Sequence, residues 1–223
     1  MKKTYLIICE TVYVECESII PDDMIILKQD FTLHNKPDAL HTYLQQVIDS
    51  LPGDGDDIVL GYGLCSNATV GLHSKSHRLI LPRIHDCIAL FCGSQACYNE
   101  HRDEAIGTFF LTKRFIESED GTYHLMEYDT YIERYGKELA QKYTKMLLGH
   151  YERAALVDTG EYDMTPYKEI AREFCELYEL DYTEITGDQR LMLKLLSEDW
   201  DHEIIVVDPG MEVTLLDYLA DAQ

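Results

Sequence analysis

Basic residues are scarce in this chain. Its 223 residues include 19 Lys and Arg against 41 Asp and Glu, which gives a formal net charge of −22 at pH 7. A protein with so negative a field repels nucleic-acid phosphates and anionic lipid surfaces. The composition therefore argues against a nucleic-acid-binding protein and against a protein with a membrane partner.

Long apolar runs are also missing, since none approaches the ~20 residues that span a bilayer. The apolar stretch near the start, Tyr5–Cys9, is short, and the acidic Glu10 follows it at once. This pattern is typical of a first β-strand rather than of a signal peptide. We expect a cytoplasmic protein, and in that compartment its seven cysteines are unlikely to form a disulfide framework.

Short apolar runs rich in β-formers alternate with helical patterns along the whole chain. Strands are predicted at 5–9, 24–27, 57–62, 78–81, 107–112, 154–157, 181–185 and 202–207, and a short helix at 66–72. This alternation predicts an α/β fold with mostly parallel sheets flanked by helices, arranged as two small Rossmann-like lobes. We place the lobes at residues 1–115 and 116–223, the second being acidic and carrying a long helix at about 131–151. One continuous sheet is the alternative.

Chemically active side chains follow three of the predicted strands. Cys9 ends the first strand, Cys65 follows the strand at 57–62, and His85, Asp86 and Cys87 follow the strand at 78–81. Ligands of open α/β sheets bind outside the carboxyl ends of the strands, and three loops at one sheet edge can meet there. The positions predict a metal site made of Cys9, Cys65 and Cys87, with His85 as a possible fourth ligand.

The ligand types narrow the choice of metal to two. Thiolates and imidazole suit zinc, and three thiolates also suit a cubane iron–sulfur cluster with one open iron. An open coordination position would make such a site catalytic, with Asp86 orienting His85 or accepting a hydrogen bond. Two other interpretations stay open. The cysteines could be small core residues, or Cys65 or Cys87 could be a nucleophile with His85 as its base.

Further residues near the same strand ends are candidates for ligand contacts. The turn at Gly61 and Gly63, with the predicted helix after it, could bind an anion through backbone N–H groups. It does not match GxGxxG, however, and no Walker lysine follows. Tyr62 lies in the same loop as Cys65. Arg83 could hold a carboxylate or phosphate of a ligand, or form a structural ion pair. We therefore assign Gly61, Tyr62 and Gly63 to cofactor contacts, and Asp86 and Arg83 to catalysis.

Several segments together resemble a family of uncharacterised proteins. These segments are YGLCSN at 62–67, GL at 71–72, PRIHDCI at 82–88, GS at 93–94, GTFFLT at 107–112, YG at 135–136 and PG at 209–210. The family is a domain of unknown function from methanogenic archaea and anaerobic bacteria, often encoded beside corrinoid-dependent methylamine methyltransferases. The likeness covers nearly the whole chain, and the tandem of YGLC and PRxHDC is its most specific part.

The resemblance implies an anaerobe and a role in corrinoid or methyl-group metabolism, without naming a reaction. Carried over residue by residue, it singles out Cys65, His85, Asp86 and Cys87, and also Cys9. It implies a small-molecule ligand, with a corrinoid protein or a methyltransferase as partner and the corrinoid carried by that partner. A more distant likeness of fold is to quinolinate synthase and diphthamide synthesis proteins, whose α/β lobes each contribute a Cys to one iron–sulfur cluster.

Three functions follow from these observations. The first is a metal-binding α/β protein, with zinc or an iron–sulfur cluster, that acts on a small molecule in anaerobic one-carbon metabolism. The second is a metal-free binding or accessory protein for a corrinoid protein or a methyltransferase. The third is a cysteine-thiol enzyme without metal.

Overall fold

The computed structural model describes residues 3–33, 36–53, 55–118 and 130–219, with residues 130–135 helical. The strands are β1 (Thr4–Cys9), β2 (Ile25–Gln29), β3 (Asp57–Gly61), β4 (Arg78–Pro82), β5 (Thr108–Leu111), β6 (Arg153–Asp158), β7 (Asp181–Thr186) and β8 (Ile204–Val207). The helices are α1 (Glu10–Tyr13), α2 (Pro37–Ser50), α3 (Ile88–Phe91), α4 (Gln95–Glu104), α5 (Lys113–Glu117), α6 (Lys137–Leu147), α7 (Thr165–Tyr178), α8 (Arg190–Leu196) and α9 (Leu215–Leu219). Strands and helices alternate, as the sequence predicts.

A five-stranded sheet forms the centre of one compact unit, which comprises residues 1–96 and 188–223. Its strand order is β2-β1-β3-β4-β8, with the first four strands parallel and β8 antiparallel to β4. All five residues of β3 are buried. Central parallel strands are covered on both faces and therefore read as continuous apolar runs. Helix α2 begins with Pro at its first position, where the missing N–H costs nothing, and buries Leu40, Leu44 and Ile48.

A three-stranded parallel sheet, in the order β5-β6-β7, forms the second compact unit at residues 97–187. Helix α7 buries Ala171, Phe174, Cys175 and Tyr178. Phe174 stacks on Phe109 of β5, with ring centroids 5.5 Å apart. The predicted fold class, α/β with mostly parallel sheets flanked by helices, is confirmed.

The division of the chain differs from the boundary that we expected at residue 115. The cause is β8, which pairs with β4 and so returns the end of the chain to the first unit. The long helix expected at about 131–151 is also interrupted. Residues 130–135 and α6 are helical, but Gly136 between them has φ +80°, which a helix does not tolerate. In the part of the chain that the structure describes, no helix has the length and apolar character to cross a membrane.

An ion-pair network joins α8 to the residue before β8. The carboxylate of Glu203 accepts hydrogen bonds from Arg190 Nη1 at 2.6 Å, from Arg190 Nη2 at 2.8 Å and from Lys194 Nζ at 2.6 Å. Arg190 also donates to the Gly93 carbonyl at 2.7 Å. The bonds from Arg190 lower the pKa of Glu203 from its usual 4.5 to about 2, with Lys194 adding to the effect.

This network predicts a stability change that depends on pH. Because the pKa of Glu203 is lower in the folded state, its ionised form stabilises the fold above pH 4.5, and this contribution is lost as the pH falls towards 2. Glu203→Gln should lower the free energy of unfolding by ~2 kcal/mol at pH 7. The difference from the parent should shrink by pH 3.5. Urea unfolding at both pH values measures this, with Glu169→Gln, an exposed glutamate of α7, as the control. A difference that is unchanged at pH 3.5 would contradict the prediction.

Candidate functional site

Three cysteines predicted as metal ligands line one cavity of about 330 Å³ at the edge of the five-stranded sheet. Ile8 of β1 pairs with Gly61 of β3, and Val59 of β3 pairs with Ile80 of β4. This parallel register brings the carboxyl ends of the three strands to the same edge. Cys9, Cys65 and Cys87, one from each strand end, therefore reach the same cavity.

Close backbone packing joins the loops after β3 and β4. The Leu64 N–H donates to the Ile84 carbonyl at 2.9 Å. A Cβ at Gly63 would lie 3.0 Å from that carbonyl oxygen, and a Cβ at Gly61 would lie 2.6 Å from Ile8 Cγ1. Both glycines are therefore required by packing between neighbouring strands. Of the two, Gly61 lines the cavity, so the cofactor contact that we predicted for Gly63 has no geometric support in this structure.

The backbone after β3 is left-handed at three consecutive residues that are not glycine. Cys65, Ser66 and Asn67 have φ values of 46°, 55° and 69°. The short helix predicted at 66–72 is wrong. The segment folds instead into hydrogen-bonded turns, such as the one from the Ala68 N–H to the Cys65 carbonyl at 3.1 Å. The anion site that we predicted at Gly61 and Gly63 therefore lacks the helix N-terminus on which it was based. Left-handed backbone costs roughly 1–2 kcal/mol per residue that is not glycine, so this loop stores strain beside the cavity.

A buried hydroxyl pair fixes the strained loop to the end of the first unit. The Thr69 hydroxyl donates to the Gly63 carbonyl at 3.1 Å, and it lies 2.7 Å from the Tyr218 hydroxyl. Thr69 and Tyr218 are both buried. Packing and hydrogen bonds therefore hold the loop in place, and the free energy that they contribute offsets the cost of its left-handed backbone.

The loop after β4 presents His85, Asp86 and Cys87 to the cavity. Asp86 Oδ1 accepts from the Ile88 N–H at 2.9 Å, which starts α3, and the His85 N–H donates to Gln95 Oε1 at 2.8 Å. His85 and Asp86 are exposed, whereas Cys87 is half-buried. The carboxylate of Asp86 thus serves the loop backbone and the Cys87 thiol, with which it also forms a hydrogen bond.

Burial and neighbouring negative charge raise the pKa values of the Cys65 and Cys87 thiols. Burial raises the pKa of Cys65 to about 12, and the charges of Asp86 and Cys9 add to this. Burial also raises the pKa of Cys87 well above its ordinary value, with contributions from Asp86, Cys65 and Cys9. Reactive cysteines have lowered pKa values, so this environment argues against the nucleophile interpretation.

Cys9 accepts hydrogen bonds from two backbone N–H groups, whereas Cys65 accepts one, from Gly63. Burial raises the pKa of Cys9, but hydrogen bonds from the backbone N–H groups of Thr11 and Val12 act in the opposite direction. These donors belong to α1, which begins directly after Cys9. They would stabilise a thiolate at this position.

Tyr62 contributes a buried hydroxyl to the cavity that the three cysteines line. Its side chain lines the cavity and is 2% exposed, and its hydroxyl has no hydrogen-bond partner. Burial raises its pKa, and the charges of Cys9, Cys65 and Cys87 raise it further. A buried hydroxyl without a partner costs ~1–3 kcal/mol. The group is therefore able to donate a hydrogen bond to a ligand in the cavity or to accept one from it.

Arg83 does not line the cavity. Its Nε donates to the His202 carbonyl at 2.6 Å, and its Nη1 donates to the Asp217 carbonyl. Its backbone N–H bonds to the Glu203 carbonyl at 2.7 Å. These contacts hold the chain on either side of β8 against β4, so the structural interpretation of Arg83 replaces the catalytic one.

Several residues in and around the cavity were not predicted from the sequence. Gln29 and Asp30, which follow β2, line it together with the three cysteines. The strand-end rule would have found them if it had been applied to β2, which is the neighbour of β1. The donors Thr11 and Val12 could not be found in this way, because their role depends on the helical turn after Cys9.

Of the other four cysteines, Cys16, Cys92 and Cys175 are buried and Cys97 is half-buried. Within residues 3–33, 36–53, 55–118 and 130–219, no three His, Cys, Asp or Glu side chains are arranged as a ready metal site. The thiols share a cavity without forming a completed coordination sphere.

The left-handed run predicts that glycine stabilises this loop. Ser66→Gly removes the Cβ that makes φ 55° costly, so the free energy of unfolding should rise by ~1 kcal/mol. The matched control is Ser50→Gly at the end of α2, which should lower it by up to ~1 kcal/mol. Urea unfolding of both variants measures the difference, and a loss of stability in Ser66→Gly would show that this loop is not strained.

A family model described as "Protein of unknown function (DUF1638)" matches residues 29–196. The match includes Cys65, His85, Asp86 and Cys87, and it begins after Cys9. No curated protein and no solved structure matches the chain.

Proposed function

Because the chain belongs to this family of proteins of unknown function, we propose its function from the site itself: Cys9, Cys65 and Cys87 bind a metal centre that acts on a small molecule. The centre is either a zinc ion or an iron–sulfur cluster. The observation that carries the proposal is that three thiols, each from a different strand end, line one cavity.

The electrostatics of the cavity favour a bound cation. The carboxylate of Asp86 and the neighbouring thiols oppose the ionisation of Cys65 and Cys87. A metal ion inverts this situation, because it binds the thiolate form and releases the protons. The three cysteines line one cavity, so their sulfur atoms would be the ligands of such an ion. The donors Thr11 and Val12 would stabilise the thiolate of Cys9, and the Tyr62 hydroxyl would donate to a metal-bound sulfur.

The number of ligands suits a catalytic centre. Three thiolates leave one position open on zinc or on one iron of a cubane cluster, and His85, at the rim of the same cavity, is the candidate fourth ligand. When bound, such a centre supplies a Lewis acid or activates a thiol of the substrate. Gly61 and Tyr62 would contact the bound ligand, and Asp86 would hold its loop and orient Cys87.

The setting that we propose is anaerobic one-carbon metabolism linked to corrinoids. It rests on the resemblance carried by the YGLC and PRxHDC segments, with a corrinoid protein or a methyltransferase as partner. A metal-free accessory protein for such a partner is the second candidate. The absence of a completed metal site among the described residues favours this candidate.

Single cysteine variants test the metal centre. In protein purified without oxygen and without added metal, Cys65→Ser or Cys87→Ser should lose at least about nine-tenths of the bound metal and keep the parent circular dichroism spectrum. Elemental analysis and the visible spectrum distinguish zinc from an iron–sulfur cluster. Cys97→Ser, a half-buried cysteine outside the cavity, is the matched control and should keep its metal. Full occupancy in a Cys65→Ser, Cys87→Ser double variant would overturn the proposal.

Tyr62→Phe should have opposite effects on the two forms of the protein: it should stabilise the metal-free fold and weaken the retention of metal. In metal-free protein the variant loses a buried hydroxyl that has no partner, so the free energy of unfolding should rise by ~1 kcal/mol. In metal-loaded protein the same variant loses a donor to sulfur and should release metal to a chelator about tenfold faster. Tyr43→Phe, a half-buried tyrosine that packs on the same core without lining the cavity, should change neither value. Equal release rates for Tyr62→Phe and the parent would exclude the proposed hydrogen bond.

A further inference from the structure

We infer that the small molecule bound in this cavity is a cation, of the organic ammonium class. The inference rests on the proposed function only in taking the cavity beside Cys9, Cys65 and Cys87 as the ligand site. It concerns the charge of the ligand, which the metal proposal leaves undetermined.

The charged side chains of the cavity are nearly all acidic. Asp30 and Asp86 line it, and no Lys or Arg does so among the residues that the structure describes. His85 is the one lining side chain that can carry a positive charge. Phosphate and carboxylate ligands are held in proteins by Arg, Lys or helix N-termini. The predicted helix that would have supplied such an N-terminus is absent, so an anionic ligand has few partners here.

The basic residues closest to the lining residues in sequence do not supply such partners. Arg83 precedes the His85–Cys87 loop, but its guanidinium is bonded to the carbonyls of His202 and Asp217. Lys28 precedes Gln29, and its ammonium lies over the Tyr13 ring, 4.1 Å from the centroid. Lys36 is exposed and does not line the cavity.

A bound metal would not reverse this sign. A divalent zinc ion held by three thiolates keeps one net negative charge, to which Asp30 and Asp86 add theirs. The chain as a whole carries −22, and a cleft focuses such a field and attracts counter-ions of the opposite sign.

The rest of the wall fits a small organic ion. Val12, Leu33, Pro37 and Leu40 contribute apolar surface that would pack on carbon. Tyr62 contributes a hydroxyl that is buried, without a partner and able to accept a hydrogen bond from an ammonium group as well as to donate one. The volume of about 330 Å³ limits the ligand to a small molecule.

Three probes of similar size and different charge test the inference: propylammonium, butyrate and 1-butanol. They are titrated into the full-length protein at pH 8 and low salt, and binding is read from the amide NMR shifts of Gly61 and Ser66. We expect propylammonium to bind at least about tenfold more tightly than butyrate, and to weaken several-fold at ~0.3 M NaCl as its charge is screened. The binding of 1-butanol should not depend on salt.

Charge-neutralising variants locate the effect. Asp30→Asn and Asp86→Asn keep the acceptor oxygens that bind the Thr32 N–H at 2.8 Å and the Ile88 N–H at 2.9 Å, so both loops should keep their shape. Each variant should weaken the binding of propylammonium about three- to tenfold and leave the binding of 1-butanol unchanged. Asp49→Asn, at the end of α2 and outside the cavity, removes the same charge and should have no effect.

Several outcomes would overturn the inference. They are butyrate binding as tightly as propylammonium, an equal loss in Asp49→Asn, and no shift of the cavity amides with any probe at ~0.1 M. The metal content of the same samples separates this inference from the proposed function. Cation preference in a protein that takes up no metal supports this inference and removes the metal centre. Metal-loaded protein that binds butyrate more tightly than propylammonium supports the metal centre and overturns this inference.

Discussion

Parallel pairing of β1, β3 and β4 is the constraint on which the site depends. In parallel neighbours every strand ends at the same edge of the sheet, so residues far apart in sequence are delivered to one place. Cys9 is the last residue of β1, Cys65 lies four residues after the end of β3, and Cys87 lies five residues after the end of β4. None of them is near another along the chain in the way that paired zinc ligands of a CxxC motif are. The sheet, rather than a local motif, makes the cavity.

Tight packing at this edge leaves little freedom to the loops. Gly61 and Gly63 are needed because Ile8 and Ile84 fill the space where side chains would be. The next three residues adopt left-handed backbone, whose cost is offset by the hydrogen bonds of Thr69 and by the burial around it. Strained backbone held by its surroundings is frequent where a protein must place a functional group accurately. Here it determines where the Cys65 thiol lies.

The charges around the thiols make their protonation state depend on whether a cation is bound in the cavity. Close to Asp86 and to one another, the thiols of Cys65 and Cys87 hold their protons tightly in the absence of a cation. The same arrangement would suit a metal ion, because each thiolate formed by loss of a proton carries a negative charge that the ion would compensate. For this reason we propose a metal centre rather than a free nucleophile, and a cation rather than an anion as the ligand.

The sequence predicts the fold class, most of the elements and the convergence of the three strand ends. The bounds of α2 follow from Pro37 at its start and from its apolar stripe, which is local information. The errors have non-local causes. The pairing of β8 with β4 moves the end of the chain into the first unit, and no pattern within β8 indicates it. The turns at 66–72 replace a helix because Val213 bonds to Gly71 and Leu72, a contact from the other end of the chain.

The candidate site residues also divide into those that local sequence information predicts and those that depend on distant contacts. The strand-end rule finds the three cysteines, His85 and Asp86, since it needs only the order of elements. It misassigns Arg83, because its partners, the carbonyls of His202 and Asp217, come from a distant segment. It misses the donors of Cys9, because these exist only once α1 has formed. Tyr62 is found as a neighbour of Cys65, but the burial of its hydroxyl is a property of the folded sheet edge.

The most direct test of a metal centre shared by the three thiols is anomalous X-ray diffraction. Crystals would be grown without oxygen from protein purified without added metal, and data collected at the zinc and iron absorption edges. The account predicts one anomalous peak, or one compact cluster of peaks, within ~2.3 Å of the sulfur atoms of Cys9, Cys65 and Cys87. Reduced thiols with no peak between them, or a metal bound elsewhere in the chain, would contradict it.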